Sequence, residues 1–411
     1  MRKFGGPNAL SFVSPEVCSV LQGYAINEPL FPNLKTFELW FATEEFVPFI
    51  PLFLSPKTTV IDIGFDDSPG PLKATVASIL ATFSILCPNL QDVSLDCLPT
   101  DPAITAAISG MLLSSNPYSL RSVRVDSPLT EGALEVICKL PELRDLWLVI
   151  ERDTPLPVVV LPNLINLVIK YDHGRDWLQV FHGATLGKLE TVAFHSGSEQ
   201  IGDFLEEFKR VALATSTQNT LSEFYLYTSC SWNPSYSSLL PFTQLTFLLV
   251  ESSCDDGCSS AVDDNIIVDL ARAMPKLKSL ELGDAPCSEI PTGVTAKGLI
   301  ALAHHCPDLS TLRVHFQVDS LSDPPAIDGV TSNASSATPQ TGSALWNLEV
   351  GRIPLPDESV STVAATLALI FPRIKCIDYF YTNWQKVMDS ISISRKIINY
   401  SSKNTPLYTS N

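Results

Sequence analysis

A nine-residue motif that recurs along the chain constrains its fold more than any other feature of the sequence. Residues 87–95 read CPNLQDVSL, residues 274–282 read MPKLKSLEL, and residues 306–314 read CPDLSTLRV. Each copy has leucine-type residues at its fourth, seventh and ninth positions, with polar turn residues after it. Such self-similarity predicts a repeat architecture, which has to be recognised before any other structural feature is assigned.

The first leucine-type position of the motif, called the anchor below, occurs thirteen times. The anchors are Leu34, Thr58, Leu90, Leu120, Leu143, Leu164, Leu189, Leu221, Leu245, Leu277, Leu309, Leu345 and Ile374. Their spacing ranges from 21 to 36 residues, with a mean of about 28. The pattern and its length are typical of leucine-rich repeats.

The repeats alternate between strand and helix patterns. The residues three and five positions after most anchors are apolar, so they share the inward face of a strand. Helical patterns of 10–15 residues follow many strands, as at 72–86, 102–113, 263–274 and 295–305. Right-handed crossovers of this kind predict a parallel sheet. We therefore expect an α/β fold, a leucine-rich-repeat horseshoe solenoid of the ribonuclease-inhibitor-like type, with strands on the concave face and helices on the convex face.

The repeat boundaries also predict the organisation of the chain. Residues 1–30 form an N-terminal lead-in with the helix of a leading repeat, and residues 31–380 form the solenoid of about 13 irregular units. Residues 319–343, rich in Ser, Pro, Ala, Asp and Asn, are expected to be a disordered insertion. Residues 381–411 should form a C-terminal capping helix and a tail.

The repeat units resemble those of F-box/leucine-rich-repeat proteins, and their irregular lengths and Pro-Asn-Leu openings resemble the divergent F-box-like families of mushroom-forming fungi. The likeness covers about residues 30–380, through segments such as CPNLQDVSL and CPDLSTLRV. The resemblance implies that the repeats recruit a protein substrate for a Skp–cullin ubiquitin ligase. An F-box itself is not recognisable, since only VSPEV at residues 13–17 resembles its start. A Skp–cullin partner is therefore expected only if an F-box lies upstream.

Charge and cysteine usage restrict the classes of partner and compartment. The formal net charge of −17 argues against nucleic acid and anionic membranes and permits protein partners. The ten cysteines are scattered, and Cys87 and Cys306 occupy the same repeat position before a proline. They are expected to be reduced thiols in the core of a cytoplasmic or nuclear protein. Residues 1–20 lack the continuous apolar segment of a signal peptide.

Catalytic motifs are absent from the sequence, so no enzyme, cofactor or metal is predicted. Cys254-Asp255-Asp256-Gly257-Cys258 is the one segment that resembles a metal site, but no second Cys/His pair accompanies it. An acidic turn between repeats is the alternative interpretation of this segment. The first functional hypothesis is a substrate-recognition module of an F-box-like ligase. The alternative is a regulatory leucine-rich-repeat protein, of the inhibitor or GTPase-regulator type.

The repeat register predicts which residues face outward from the strands. The outward rows four and six positions after the anchors are apolar and aromatic in the middle of the chain and charged toward its ends. An aromatic patch with a charged rim is typical of a protein-binding surface. The candidate residues are Trp147, Val149, Val168, Lys170, His195, Tyr225, Tyr227, Phe247 and Leu249. The alternatives are that loops bury these residues, or that a register slip of one residue reverses the faces.

Overall fold

The structure is a computed structural model. It describes residues 3–4, 15–24, 29–43, 45–65, 72–98, 101–116, 119–151, 158–171, 184–186, 188–196, 204–229, 235–253, 262–283, 293–322, 343–351, 353–379 and 381–404. The chain forms two compact units. Unit 1 consists of Met1–Ser198 and Arg210–Thr220, and unit 2 of Glu199–Lys209 and Leu221–Asn411.

Unit 1 contains a parallel sheet in which each strand pairs with the next one along the chain. Its described strands are β1 (Lys3–Phe4), β2 (Thr36–Ala42), β3 (Val60–Phe65), β4 (Asp92–Asp96), β5 (Ser122–Pro128), β6 (Asp145–Ile150), β7 (Asn166–Tyr171) and β8 (Thr191–Ser196). Strand β1 was not predicted from the sequence and pairs with β2 through Lys3 and Phe4.

Unit 2 contains a sheet built in the same way. Its described strands are β9 (Glu223–Ser229), β10 (Phe247–Ser253), β11 (Ser279–Leu282), β12 (Thr311–Val314), β13 (Asn347–Gly351) and β14 (Cys376–Tyr379). Parallel strands in chain order, connected by helices or turns, are the α/β leucine-rich-repeat fold. The predicted fold class is confirmed.

The anchors determine where the strands begin. Each of β2–β14 begins two residues after one of the thirteen anchors, and every anchor is at most 1% exposed. Thr58, the anchor that is not aliphatic, is also fully buried, and its hydroxyl donates to the carbonyl of Leu34 at 3.2 Å. A buried hydroxyl needs such a partner because losing its hydrogen bonds to water is unfavourable.

A repeated pair of backbone hydrogen bonds sets the register between neighbouring repeats. The carbonyl of Lys35 accepts from the amides of Thr59 (2.8 Å) and Val60 (3.1 Å), and the carbonyl of Lys278 accepts from Ser310 and Thr311 at the same distances. The pair recurs between successive strands from β2 to β8 in unit 1 and from β9 to β14 in unit 2. Residues at equal distances from their anchors therefore lie side by side, except near the ends of the pairs β2–β3, β5–β6 and β13–β14, where the register shifts.

The helices of unit 1 follow its strands. The described ones are α1 (Pro15–Tyr24), α2 (Ile50–Phe53), α3 (Leu72–Leu86), α4 (Pro102–Ser114) and α5 (Glu131–Ile137). Helix α3 has the bounds that the sequence predicts. Asp101 caps α4 by accepting from the amide of Ala103 at 2.8 Å, with proline in the first helical position. Helix α6 (Phe204–Thr215) contributes residues to both units.

Unit 2 has longer helices toward its C-terminus. They are α7 (Asp264–Ala273), α8 (Ala296–His305), α9 (Asp319–Ser322), α10 (Val360–Ile370) and α11 (Asn383–Asn404). Trp384 fixes the start of α11, because its side chain is fully buried and its indole N–H donates to the carbonyl of Ile353 at 2.8 Å. No helix in the described ranges is long and apolar enough to cross a membrane.

The beginning of the predicted disordered insertion is helical. Residues 323–342 lie outside the described residues. Within Asp319–Ser322, however, the side chain of Leu321 is fully buried and its carbonyl accepts from the hydroxyl of Thr366 at 2.8 Å. Ser320 accepts from the amide of Ala296 at the start of α8. These contacts order α9, so the prediction of disorder from residue 319 is wrong for its first four residues.

Several cysteines serve as small core residues. Cys87, Cys138 and Cys306 are buried, and burial raises the pKa of each thiol to about 12. The six cysteines within the described ranges are free thiols. A buried thiol with so high a pKa is a poor nucleophile, so these three side chains act in packing.

Asp264 connects two neighbouring helices of unit 2. Asp263 is the N-cap of α7 and accepts from the amide of Ile266 at 2.9 Å. The Asp264 carboxylate instead reaches the start of α8, where it accepts from the amides of Thr295 (2.8 Å) and Gly298 (2.9 Å) and from the Thr295 hydroxyl (2.6 Å). An anion is favourable at a helix N-terminus, so Asp264 stabilises α8 across the repeat boundary.

We expect Gly298→Ala to lower the free energy of unfolding by about 1–2 kcal/mol, although alanine is normally the better helix former. A Cβ at this position would lie 2.7 Å from Oδ1 of Asp264. The Asp264 carboxylate cannot move away without losing the three hydrogen bonds that its two oxygens accept. The matched control is Gly110→Ala in α4, where a Cβ would meet no atom within 4 Å. That change should raise stability by about 0.5–1 kcal/mol. Urea unfolding followed by circular dichroism distinguishes the two, and equal shifts would contradict the role of Asp264.

Candidate functional site

The candidate site is the open face of each sheet, defined as the face that carries the residues two, four and six positions after the anchors. The register pairs Trp147 with Val168 on β7 in unit 1. It pairs Tyr225 with Leu249 on β10 in unit 2. Five candidate residues, called the unit 1 patch, are Trp147, Val149, Val168, Lys170 and His195; the other four, the unit 2 patch, are Tyr225, Tyr227, Phe247 and Leu249.

Trp147 is the centre of the unit 1 patch. The guanidinium carbon of Arg124 on β5 lies 4.8 Å from the centroid of the indole. The ring of His195 on β8 stacks on the indole with a centroid distance of 6.0 Å and an interplanar angle of 22°. Cation–π and stacking contacts hold the half-exposed indole in one orientation. An aromatic side chain held in this way loses little conformational entropy when a partner binds.

The charged members of the unit 1 patch are also held by neighbours. Lys170, the most exposed of the five, forms an ion pair with Asp126 at 3.0 Å. Burial lowers the pKa of His195, and the nearby Lys170 charge lowers it further, whereas Asp126 acts in the opposite direction. The imidazole is therefore neutral at pH 7, which suits its stacking on Trp147.

Next to Trp147 the open face forms a groove of about 470 Å³. It crosses strands β3–β8 and is lined by three carboxylates, Asp62, Asp92 and Asp145, with Arg124 as the one cation in its described lining. The carboxylate of Asp145 accepts a hydrogen bond from the side-chain amide of Asn166. Asp92 and Asp145 are not among the predicted site residues, because they lie two positions after their anchors and the predicted outward rows lie four and six positions after them.

The unit 2 patch contains a pair of stacked aromatic rings. Tyr225 and Phe247, on neighbouring strands, have ring centroids 4.6 Å apart. The hydroxyl of Tyr225 donates to a carboxylate oxygen of Glu223 at 3.0 Å. Burial, followed by this hydrogen bond, raises the pKa of Tyr225, and burial raises that of Tyr227. Both phenols are therefore protonated donors at pH 7.

The prediction that Leu249 belongs to an exposed binding surface is wrong. Its side chain is only 5% exposed, although it lies on the open face. In the register it sits between Tyr225 on one neighbouring strand and Glu281 on the other. Neighbouring strands are about 4.8 Å apart, so longer side chains on both sides shield a leucine between them. The binding role of the other eight residues stays a prediction.

Arg313 organises the charged end of the unit 2 face. It contacts carboxylates from three other strands: Glu281 at 2.6 Å, Glu349 at 3.0 Å and Glu251 at 3.5 Å. Burial raises the pKa of Glu349, although Arg313 acts in the opposite direction. The sequence placed these residues in the outward rows, but it contained no signal that one guanidinium joins three carboxylates.

Metal-ligating residues do not converge in the described part of the chain. No group of three or more His, Cys, Asp or Glu side chains there is arranged to hold a metal ion. The segment from Cys254 to Cys258 lies outside the described residues. His304 and His305 end α8, and their rings make an edge contact with centroids 4.7 Å apart.

Comparison with known proteins gives only remote similarity. No protein-family model matches the chain, and no curated protein matches it. A chain of the yeast Rad7 and Elc1 complex is similar over 92% of this chain and 76% of that chain, with 15% identity and a TM-score of 0.39. The leucine-rich repeat-containing protein LegL7 from Legionella pneumophila is similar over 95% and 97%, with 10% identity and a TM-score of 0.30. Similarity at this level carries no functional information.

We expect Arg313→Met to lower the free energy of unfolding by about 2 kcal/mol at neutral pH, because three half-buried carboxylates lose their common cation. The pKa of Glu349 is already raised in the folded state and should rise further. A carboxylate with a raised folded-state pKa destabilises the fold when ionised, and the penalty disappears as the pH falls through that pKa. The difference from wild type should therefore shrink between about pH 7 and about pH 5.

Urea unfolding of wild type and variant at both pH values measures this difference. The neighbouring titratable groups are Glu251, Glu281, His315 and Asp378. Burial and then the Arg313 charge lower the pKa of His315, so Arg313→Met lets this imidazole take up a proton more readily and reduces the difference further as the pH falls. The matched control is Lys139→Met, which removes a cation from a fully exposed ion pair with Glu135 and should lower the stability much less than Arg313→Met does. A loss for Arg313→Met that does not change with pH would contradict the electrostatic explanation.

Proposed function

We propose that this chain is a non-catalytic protein-binding scaffold that holds its partner on the open face of its parallel sheets. The observation that carries the proposal is the half-exposed indole of Trp147, held between Arg124 and His195 on a sheet face of unit 1. Tryptophan, tyrosine and arginine are the residue types that contribute most to protein–protein binding energy. The Tyr225–Phe247 pair gives unit 2 a second aromatic surface of the same kind.

The ionisation states on this face also favour binding over catalysis. The imidazole of His195 is neutral and stacked, and the phenols of Tyr225 and Tyr227 are protonated. A raised phenol pKa makes a tyrosine a hydrogen-bond donor and a poor nucleophile at pH 7. These groups are suited to packing against a partner and to donating hydrogen bonds to it.

We further propose that the scaffold is the substrate-recognition module of an F-box-like ubiquitin ligase. This finer assignment rests on the resemblance of the repeats, such as residues 87–95 and 306–314, to those of F-box/leucine-rich-repeat proteins. It requires a Skp-type adaptor as a second partner. Co-purification with a GTPase or a nuclease, without a Skp protein, would instead favour a regulatory leucine-rich-repeat protein.

Affinity capture from native lysate with quantitative mass spectrometry tests the scaffold proposal. We expect the wild-type chain to capture a defined protein, and the double variant Trp147→Ala/Tyr225→Ala to capture about tenfold less of it or even less. The reason is that both substitutions remove aromatic side chains from the binding surface. Trp346→Ala is the matched control, since this half-exposed tryptophan lies outside both patches. Binding through the open face would be contradicted if Trp346→Ala failed to capture the same protein, or if the double variant captured it as well as the wild type does. The presence of a Skp-type adaptor among the captured proteins tests the ligase role separately.

A further inference from the structure

The groove of unit 1 contains carboxylates whose charge is only partly compensated by neighbouring cations in the described part of the chain. Asp62 and Asp92 line it next to Trp147, and neither side chain has a hydrogen bond or ion pair within the described ranges. Asp92 is half-buried; burial raises its pKa, the Asp145 charge raises it further, and Arg121 acts in the opposite direction. Partly desolvated anions that are not neutralised within the molecule cost stability. A cation from a partner would offset that cost.

The cation of the groove is already engaged elsewhere. Arg124 lies over the indole of Trp147, so its guanidinium contributes to holding the aromatic ring. The groove therefore presents an excess of negative charge beside an apolar surface formed by Trp147 and Val168. Lysine and arginine side chains match this combination, because each has an aliphatic stem that packs on apolar surface and a charged end that pairs with carboxylates.

We infer that the groove formed by Asp62, Asp92, Asp145 and Trp147 binds a lysine- or arginine-containing segment of the partner protein. The lysine or arginine side chain of this segment packs its aliphatic part against Trp147 and Val168 and places its charged end between the carboxylates. This inference rests on the proposed scaffold function and names the chemistry of the partner. Charge complementarity at such a site determines the association rate and the choice of partner more than the affinity itself.

Selection of random peptides displayed on phage against the full-length chain tests the inference. We expect the selected peptides to be enriched in lysine and arginine and to bind more weakly as ionic strength rises. A labelled selected peptide, measured by fluorescence anisotropy, should lose about tenfold in affinity for Asp62→Asn/Asp92→Asn. These two carboxylates accept no hydrogen bonds in the described structure, so the amides should not impair folding, which circular dichroism verifies.

The matched control is Glu131→Gln/Glu142→Gln, which removes two exposed negative charges outside the groove and should leave the affinity unchanged. An equal loss with the control would show a general charge effect and would overturn the inference. Peptides without basic residues that still depend on Trp147 would also overturn it, while leaving the scaffold proposal intact. If no selected peptide depends on Trp147 or on the carboxylates, both the inference and the scaffold role of the unit 1 patch are wrong.

Discussion

The fold of each unit depends on one repeated interaction, in which the carbonyl of the residue after an anchor accepts hydrogen bonds from two successive amides of the next repeat of that unit. In unit 1 this pair joins Lys35 to Thr59 and Val60, and it recurs at the later strand pairs of the unit. A strand has a side-chain period of two, so a slip of one residue would exchange the inner and outer faces. The buried anchor prevents that slip, because a shifted strand would place polar residues in the core. The outward rows are aligned as a consequence, except near the ends of the pairs β2–β3, β5–β6 and β13–β14, where the register shifts. The composition of the open face follows from the residues two, four and six positions after each anchor.

The anchors made most of the fold predictable. Leucine at a fixed offset from the strand is a local signal, repeated often enough that irregular spacing does not obscure it, and even Thr58 keeps its place because Leu34 satisfies its hydroxyl. Features that depend on contacts between repeats could not be predicted from the sequence in the same way. The carboxylate of Asp264, at the start of α7, binds the start of the next helix, and no local sequence pattern indicates that contact. Leu249 was expected to be exposed, since a pattern along one strand contains no information about the length of side chains on its neighbours.

The candidate site was predictable only in part for the same reason. Its aromatic residues could be placed on one face from the register, and Trp147, Tyr225 and Phe247 are half-exposed there. The contacts that hold these side chains in place could not be predicted, because the stacking of His195 on Trp147, for example, joins residues two strands apart. The groove was missed because two of its three acidic residues, Asp92 and Asp145, lie at the first outward position of their strands, where the amino-acid type varies from repeat to repeat. A surface assembled from one residue per repeat has no continuous motif in the sequence.

A parallel sheet in register places equivalent side chains about 4.8 Å apart, so a row of carboxylates is unfavourable unless cations are interspersed. The two units meet this constraint differently. Unit 2 places Arg313 among Glu251, Glu281 and Glu349, so each of these three carboxylates lies within 3.5 Å of a cation of the protein itself. Unit 1 places the Arg124 guanidinium over Trp147, and Asp62 and Asp92 have no hydrogen bond or ion pair within the described ranges. Partly desolvated carboxylates without an ion pair are unfavourable in the free protein. Departures of this kind from local stability are expected at binding surfaces, where a ligand supplies the missing interaction. The open face of unit 1 is therefore the more strongly suited of the two to a charged partner.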